Sequence, residues 1–304
     1  MNVFIDGQAG TTGLQLEARL RKRDDVKLLE IEPVLRKDPA ARKELMDRAD
    51  VVFLCLPDDE ARKAVAMASP DTLVIDASTA HRTSSGWVYG LPELSPQHRE
   101  NIKNAKRIAN PGCHATGFIA LVYPLISAGV ISKFVKLHCT SLTGYSGGGK
   151  AMIADYETER TPDDKLHAPR PYALGLAHKH LPEMKTVCGL EYAPHFMPVL
   201  GDMAQGMLVT VPLWAKNKTE IWEFLHHHYS DSHFIKVMPL DYELDSGFLD
   251  PTACNNTNRM ELFVFGSDTQ VMLVARHDNL GKGASGAAVQ CMNIACGLDE
   301  STGL

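Results

Sequence analysis

The sequence lacks any long run of basic residues, any apolar stretch of membrane-spanning length, and any C-x-x-C or H-E-x-x-H pattern. The first absence removes the electrostatic footprint of a nucleic-acid or anionic-membrane binder. The second removes a spanning helix. The third leaves no site with recognisable metal-ligand spacing, so no metal is predicted. Residues 1–5 enter a strand-like run directly, without the basic start and apolar core of a secretory signal. Seven cysteines, an odd number at irregular spacings, make no disulfide framework and fit reduced thiols. A cytoplasmic protein is predicted. Positive charge is not in excess either: 31 Lys and Arg against 37 Asp and Glu give a net charge of −6. An anionic substrate would have to be held by local groups.

What is present describes an ordinary globular protein, 44% hydrophobic and 22% charged. Its 304 residues exceed what one compact core usually holds, so two domains are predicted. The apolar strand at residues 1–5 is followed by D-G-Q-A-G-T-T-G and then L-Q-L-E-A-R-L. Gly7, Gly10 and Gly13 are spaced G-x-x-G-x-x-G, a variant of the dinucleotide fingerprint. In this layout backbone N–H groups and a helix N-terminus face a pyrophosphate. The plainer alternative is a tight strand–helix turn.

Further strands are predicted at 27–31, 51–56 and 72–77, with helices at 14–22, 40–49 and 59–67. The run V-V-F-L-C-L at 51–56 reads as buried on both faces, as in a parallel sheet, and ends at Pro57. This alternation is a doubly wound α/β pattern, with cofactors expected at the carboxyl ends of its strands. Glu30 and Glu32 could hold a ribose 2′-hydroxyl, whereas Arg36 and Lys37 could hold a 2′-phosphate. The balance favours NADP.

Residues 110–117 read N-P-G-C-H-A-T-G, with an apolar run behind them. Pro111 and Gly112 end what precedes, so Cys113 falls at the N-terminus of a buried helix. There the partial positive charge of the backbone favours a thiolate. Cys113 is either a nucleophile or a buried structural thiol.

Residues 136–141 read as a strand that runs into T-G-Y-S-G-G-G-K, where Ser146 and its neighbouring N–H groups could meet an oxyanion. A flexible surface loop is the alternative, and 155–172 is expected to be irregular. His178 and His180 alternate, so on an extended segment both face one side. One could be the acid/base partner of Cys113. His226, His227 and His228 belong to an amphipathic helix at 219–229 and point in different directions. Strands at 205–211, 259–266 and 270–277, the last two joined by a hairpin-like link, predict a largely antiparallel or mixed sheet. Gly281 and Gly283 precede a helix whose small face, Ala284, Ala287 and Ala288, suits close packing on a helix or beside a cofactor.

Seven segments, in order, carry a resemblance to a known family: D-G-Q-A-G-T-T-G, C-L-P at 55–57, D-A-S-T-A-H-R at 76–82, Y-G-L-P-E-L at 89–94, N-P-G-C, H-K-H-L-P-E at 178–183, and N-L-G-K-G-A-S-G-A-A-V-Q at 279–290. Over nearly the whole chain they resemble the N-acetyl-gamma-glutamyl-phosphate reductases of arginine biosynthesis, in the shorter of two forms. More broadly they resemble the aspartate-semialdehyde dehydrogenase superfamily. Lys179 departs from the family, where arginine is common.

The resemblance implies an NADP(H)-binding Rossmann domain at 1–112 plus 281–304, a catalytic and oligomerisation domain at 113–280, and a homo-oligomer, dimer or tetramer. It implies cofactor contacts from Gly7, Gly10, Thr11, Thr12, Gly13, Arg36, Leu56, Pro57, Ser78 and Gly283. Cys113 takes the nucleophile's position and His180 the acid/base position, with His178 in reserve. Arg82, Arg107, Asn110 and Ser141 are candidates for holding substrate. The implied reaction reduces an acyl phosphate to an aldehyde through a cysteine thioester. The alternative is the same chemistry on aspartyl phosphate or an aminoadipyl analogue.

Overall fold

The computed structural model describes residues 1–214 and 217–304. The chain forms two compact units, Met1–Gly112 with Ala284–Leu304, and Cys113–Gly283. The first begins β1 (Asn2–Asp6), α1 (Thr11–Leu20), β2 (Lys27–Leu29), α2 (Pro39–Arg48) and β3 (Val51–Leu54). It continues α3 (Asp58–Met67), β4 (Leu73–Asp76), β5 (Val88–Tyr89), α4 (Pro96–Lys103) and β6 (Arg107–Ala109). All strand pairs are parallel, in the order β2-β1-β3-β4-β6-β5.

Alternation along these strands builds two cores. Val3, Ile5, Val51, Phe53, Leu73 and Ile75 face one side, and Phe4, Val52, Leu54 and Val74 face the other. Helix starts follow local chemistry. Asp38 caps α2 by accepting from the Ala40 N–H, Ser95 caps α4 by accepting from His98, and Pro39 and Pro96 open the two helices. The second strand stops at Leu29, two residues short of the predicted end, and the chain turns through a 3-10 segment at Pro33–Leu35.

The second unit comprises α5 (Cys113–Ser127), β7 (His138–Thr143), α6 (Gly149–Glu157), β8 (Arg170–Pro171), α7 (Leu181–Cys188) and β9 (His195–Leu200). Then follow β10 (Met207–Trp214), α8 (Lys218–His228), β11 (Ile235–Val237), β12 (Met260–Gly266) and β13 (Gln270–His277). Its sheet is mixed, in the order β11-β12-β13-β10-β7-β9-β8, with β11/β12 and β7/β9 parallel and the other pairs antiparallel.

Two expectations need correction. Residues 143–150 are not an open loop: a 3-10 turn at Tyr145–Gly148 leads straight into α6. The helix continues to Glu157, so the irregular region begins later than predicted. Gly149 makes this possible by entering with φ +81°, which Gly adopts without a Cβ clash. After β13 the chain passes through a π-helical turn, Gly281–Ser285, into α9 (Gly286–Ala295), which completes one core of the first unit. Among the described residues no helix is long and apolar enough to cross a membrane.

Helix α5 is buried at every position from His114 to Val122. It can lie close to its sheet because residue 117 is glycine. A Cβ there would come 2.7 Å from Val209 Cγ2 and 2.9 Å from His277 Cε1. Gly117→Ala should therefore lower stability by about 1–3 kcal/mol through overpacking. Urea unfolding checks this, and an unchanged midpoint would show that the helix can shift freely.

Candidate active site

In the first unit the strand order reverses between β1 and β3, which is where ligands bind such sheets. The loop after β1 is built for backbone approach. Gly7 has φ +86°, and a Cβ on it would lie 2.3 Å from the Cys55 carbonyl oxygen. A Cβ on Gly13 would lie 2.7 Å from the Gln8 carbonyl oxygen. Gly10 caps α1 without a side chain, and the first turn carries no acid. The Thr11 hydroxyl is buried there with no hydrogen-bond partner among the described residues, and Thr12 is half-buried beside it. Uncapped N–H groups with a spare hydroxyl fit a pyrophosphate.

The root of this loop is held by a buried ion pair. Arg42 donates to Asp6 Oδ2 from Nε at 3.0 Å and Nη2 at 2.7 Å. Burial pushes the Asp6 carboxyl upward, against the opposing pull of Arg42. Leu56 packs beside Gly7, and Pro57 caps α3. Ser78 is committed locally: its N–H and hydroxyl both donate to Asp76, at 2.9 and 2.7 Å. Asp76 also holds His81 Nδ1 at 2.6 Å, and that ring stacks on Trp87. Ser78 thus shapes the loop after β4. Beyond β2, Glu30 is paired with Arg21, while Arg36 is exposed.

In the second unit Cys113 is the first residue of α5 and half-buried. Gly283, expected at a cofactor, lies against it. A Cβ there would come 2.9 Å from Cys113 Cβ. The Cys113 carbonyl accepts a hydrogen bond from His277 Nε2 at 2.9 Å. A carbonyl only accepts, so the Nε2 atom carries the hydrogen. Burial lowers the His277 pKa to about 4, overcoming that hydrogen bond. The ring is therefore neutral, and its buried Nδ1 has no partner among the described residues.

Three more imidazoles gather here. His114 is buried, with Nδ1 2.7 Å from Ser141 Oγ and Nε2 2.9 Å from Tyr172 Oη. Burial, then the neighbouring charges of His178, His277 and Lys179, hold its pKa well below the usual histidine range. His178 and His180 lie in a turn, yet their rings stand 4.7 Å apart and 5.4 and 5.5 Å from His114. The His180 N–H donates to His178 Nδ1 at 3.1 Å, which ties up that lone pair. Among the described residues no group of three or more His, Cys, Asp or Glu is placed to hold a metal.

The substrate candidates separate. Arg82 donates to the carbonyls of Asn110 and Ala77, and Asn110 keeps a buried Oδ1 with no partner among the described residues. Arg107 begins β6, at the amino end of the parallel sheet, and donates to the carbonyls of Thr72, Lys106 and Ser69. It ties strand ends together and is withdrawn as a substrate ligand. Ser141 is wholly buried and faces His114, so it too is withdrawn. His114, Tyr172 and His277 are the site residues that sequence patterns missed. Their partners lie far along the chain, and only the adjacency of His114 to Cys113 could have drawn notice.

His277 makes stability pH-dependent. The unfolded chain takes up a proton below pH 6.5 that the folded chain refuses until about 4, so stability falls as pH falls through this window. The loss is roughly 3 kcal/mol. In urea unfolding at pH 7 and 4.5, His277→Asn should lose less stability than wild type. An equal loss would remove this assignment.

Comparison with known proteins agrees with both units. The family description "Semialdehyde dehydrogenase, NAD binding domain" matches residues 12–105, and "Semialdehyde dehydrogenase, dimerisation domain" matches 113–279. An N-acetyl-gamma-glutamyl-phosphate reductase of Nostoc sp. is 46% identical over 317 residues, covering 99% of this chain and 98% of that one. One from Chelativorans sp. is 46% identical, covering 96% and 97%. Aspartate semialdehyde dehydrogenase II of Vibrio cholerae, solved in complex with ASA, shares the fold with TM-score 0.73 at 16% identity, covering 97% of this chain and 98% of that one. An aspartate semialdehyde dehydrogenase of Candida albicans, solved with NADP, has TM-score 0.69 at 17% identity, covering 96% and 97%. The chain belongs to the N-acetyl-gamma-glutamyl-phosphate reductase family, within the semialdehyde dehydrogenases.

Proposed function

We propose that this chain reduces N-acetyl-gamma-glutamyl phosphate to N-acetylglutamate 5-semialdehyde and phosphate, with NADPH, in arginine biosynthesis. The observation that carries this reading is the half-buried Cys113 thiol at the first residue of α5, in a chain 46% identical to reductases of that name. The N–H groups at the start of α5 favour a thiolate and the oxyanion that follows attack. The sulfur attacks the acyl carbonyl, the bond to phosphate breaks with its electron pair, and a thioester remains on Cys113. NADPH, when bound, supplies the hydride that reduces this thioester. The carbon–sulfur bond of the thiohemiacetal then breaks, and the pair returns to sulfur.

His180 takes the thiol proton and passes it to the departing phosphate oxygen; solvent replaces it. The engaged Nδ1 of His178 supports the choice of His180. Gly7, Gly10, Thr11, Thr12 and Gly13 would hold the pyrophosphate, flanked by Leu56 and Pro57. Exposed Arg36 would meet the 2′-phosphate, since Glu30 is engaged by Arg21. Arg82 and Asn110 are assigned to a phosphate or carboxylate of the substrate. A cytoplasmic setting suits seven free cysteines.

The test is phosphate-dependent reduction of NADP by N-acetylglutamate 5-semialdehyde at alkaline pH. Wild type should be active and Cys113→Ser inactive. His180→Asn should lower kcat by roughly 10²–10⁴-fold. Arg36→Ala should raise KM for NADP and leave that for NAD unchanged. Turnover by Cys113→Ser would remove the nucleophile. Activity confined to aspartate or aminoadipate semialdehyde would move the substrate.

A homo-oligomer is part of this reading. Part of one face of the second sheet is exposed, with Met197, Trp214 and Met272 exposed at 41, 83 and 37%, and Pro212 exposed opposite Met272. We assign this apolar face to a second copy of the chain. Met272→Glu should shift sedimentation toward the monomer; an unchanged species would place the contact elsewhere.

A further inference from the structure

His114 follows the nucleophile in sequence, yet it is only 3% exposed and both of its ring nitrogens meet hydroxyl groups. One hydroxyl, of Ser141, belongs to β7 and is wholly buried. The other, of Tyr172, belongs to the connection between β8 and α7, on a residue 36% exposed. That connection is irregular. Ala173 and Leu176 take φ of 51° and 54°, and Leu174 and Leu176 are exposed. The Tyr172 backbone is held by its N–H to the Pro198 carbonyl at 3.0 Å, and its hydroxyl by His114 at 2.9 Å. The connection is thus fastened, through one phenol, to the first turn of α5.

We propose that His114 is a positioning residue for the reaction: anchored by Ser141, it fixes the Tyr172 hydroxyl at the start of α5, where Cys113 lies. A neutral imidazole has one donor and one acceptor. With Ser141 donating to Nδ1, the Nε2 hydrogen goes to the Tyr172 oxygen. The phenolic hydrogen is then free to point at the anionic sulfur or the oxyanion that forms on it. Burial, followed by the charge of Cys113, disfavours ionisation of Tyr172, so the phenol keeps that hydrogen. Tyr172 would be the group that touches the reacting atoms, and His114 would act through it.

This inference rests on Cys113 as the nucleophile, so the test carries a readout that is independent of turnover. In the full-length protein, His114→Phe and Tyr172→Phe should each lower kcat by roughly tenfold to a hundredfold, with KM for NADP unchanged. The double variant should lose no more than either single one, because both remove the same interaction. His114→Gln, which keeps a donor and an acceptor, should recover part of the loss. Losses that multiply in the double variant, or a wild-type kcat in His114→Phe, would overturn the proposal. Independently, trypsin should nick His114→Phe several-fold faster than wild type after exposed Lys165 or Lys179, which flank Tyr172. Equal nicking overturns the tether. If wild type reduces no acyl phosphate, the functional reading fails, and nicking alone decides the tether.

Discussion

Close approach of α5 to β10 and β13 sets the position of Cys113. The helix is buried around most of its circumference, and the sheet can come this near only where a side chain is missing, at Gly117. Given that approach, His277 at the end of β13 reaches the Cys113 carbonyl, and Gly283 leaves room for the Cys113 side chain. A helix held back by one methyl group would part these contacts together. Close-packed interiors transmit such a displacement and do not absorb it.

The same closeness governs charge. Several imidazoles within a few ångströms would repel one another if protonated. Burial keeps His277 and His114 neutral, by an amount that outweighs the hydrogen bond favouring the charged form of His277. In the proposed reaction the proton is carried by His180, with His178 beside it. In the first unit the opposite resource is used. Side chains are withdrawn from the loop after β1, and the start of α1 has no side-chain cap, an arrangement that suits an anion.

Much of the fold was legible because its signals are local. The all-apolar run 51–54 belongs to a strand buried on both faces, and the alternation in 270–273 to the half-exposed start of a strand buried throughout its second half. Strand 270–277 keeps its predicted bounds, whereas β2 ends early and α1 starts at Thr11, before the predicted residue 14. Ends depend on capping and on neighbours, which periodicity does not record. Gly149 opens α6, yet glycine alone does not say whether a loop or a helix follows. Arg107 is a candidate for holding phosphate or carboxylate by residue type alone. Its place at the amino end of β6 depends on strand direction, which emerges only when the sheet forms.

By itself the sequence determined the two kinds of sheet, the glycine loop behind the first strand, and a thiol at the head of an apolar helix. These follow from spacing within a few residues, where covalent geometry limits the choices. Tertiary structure decided which histidines stay neutral, which hydroxyls are spent, and which arginine is only a tie. Ser141, Tyr172 and His277 lie 28, 59 and 164 positions from Cys113. Burial and hydrogen-bond partnership are properties of the assembled neighbourhood, so no local pattern can carry them.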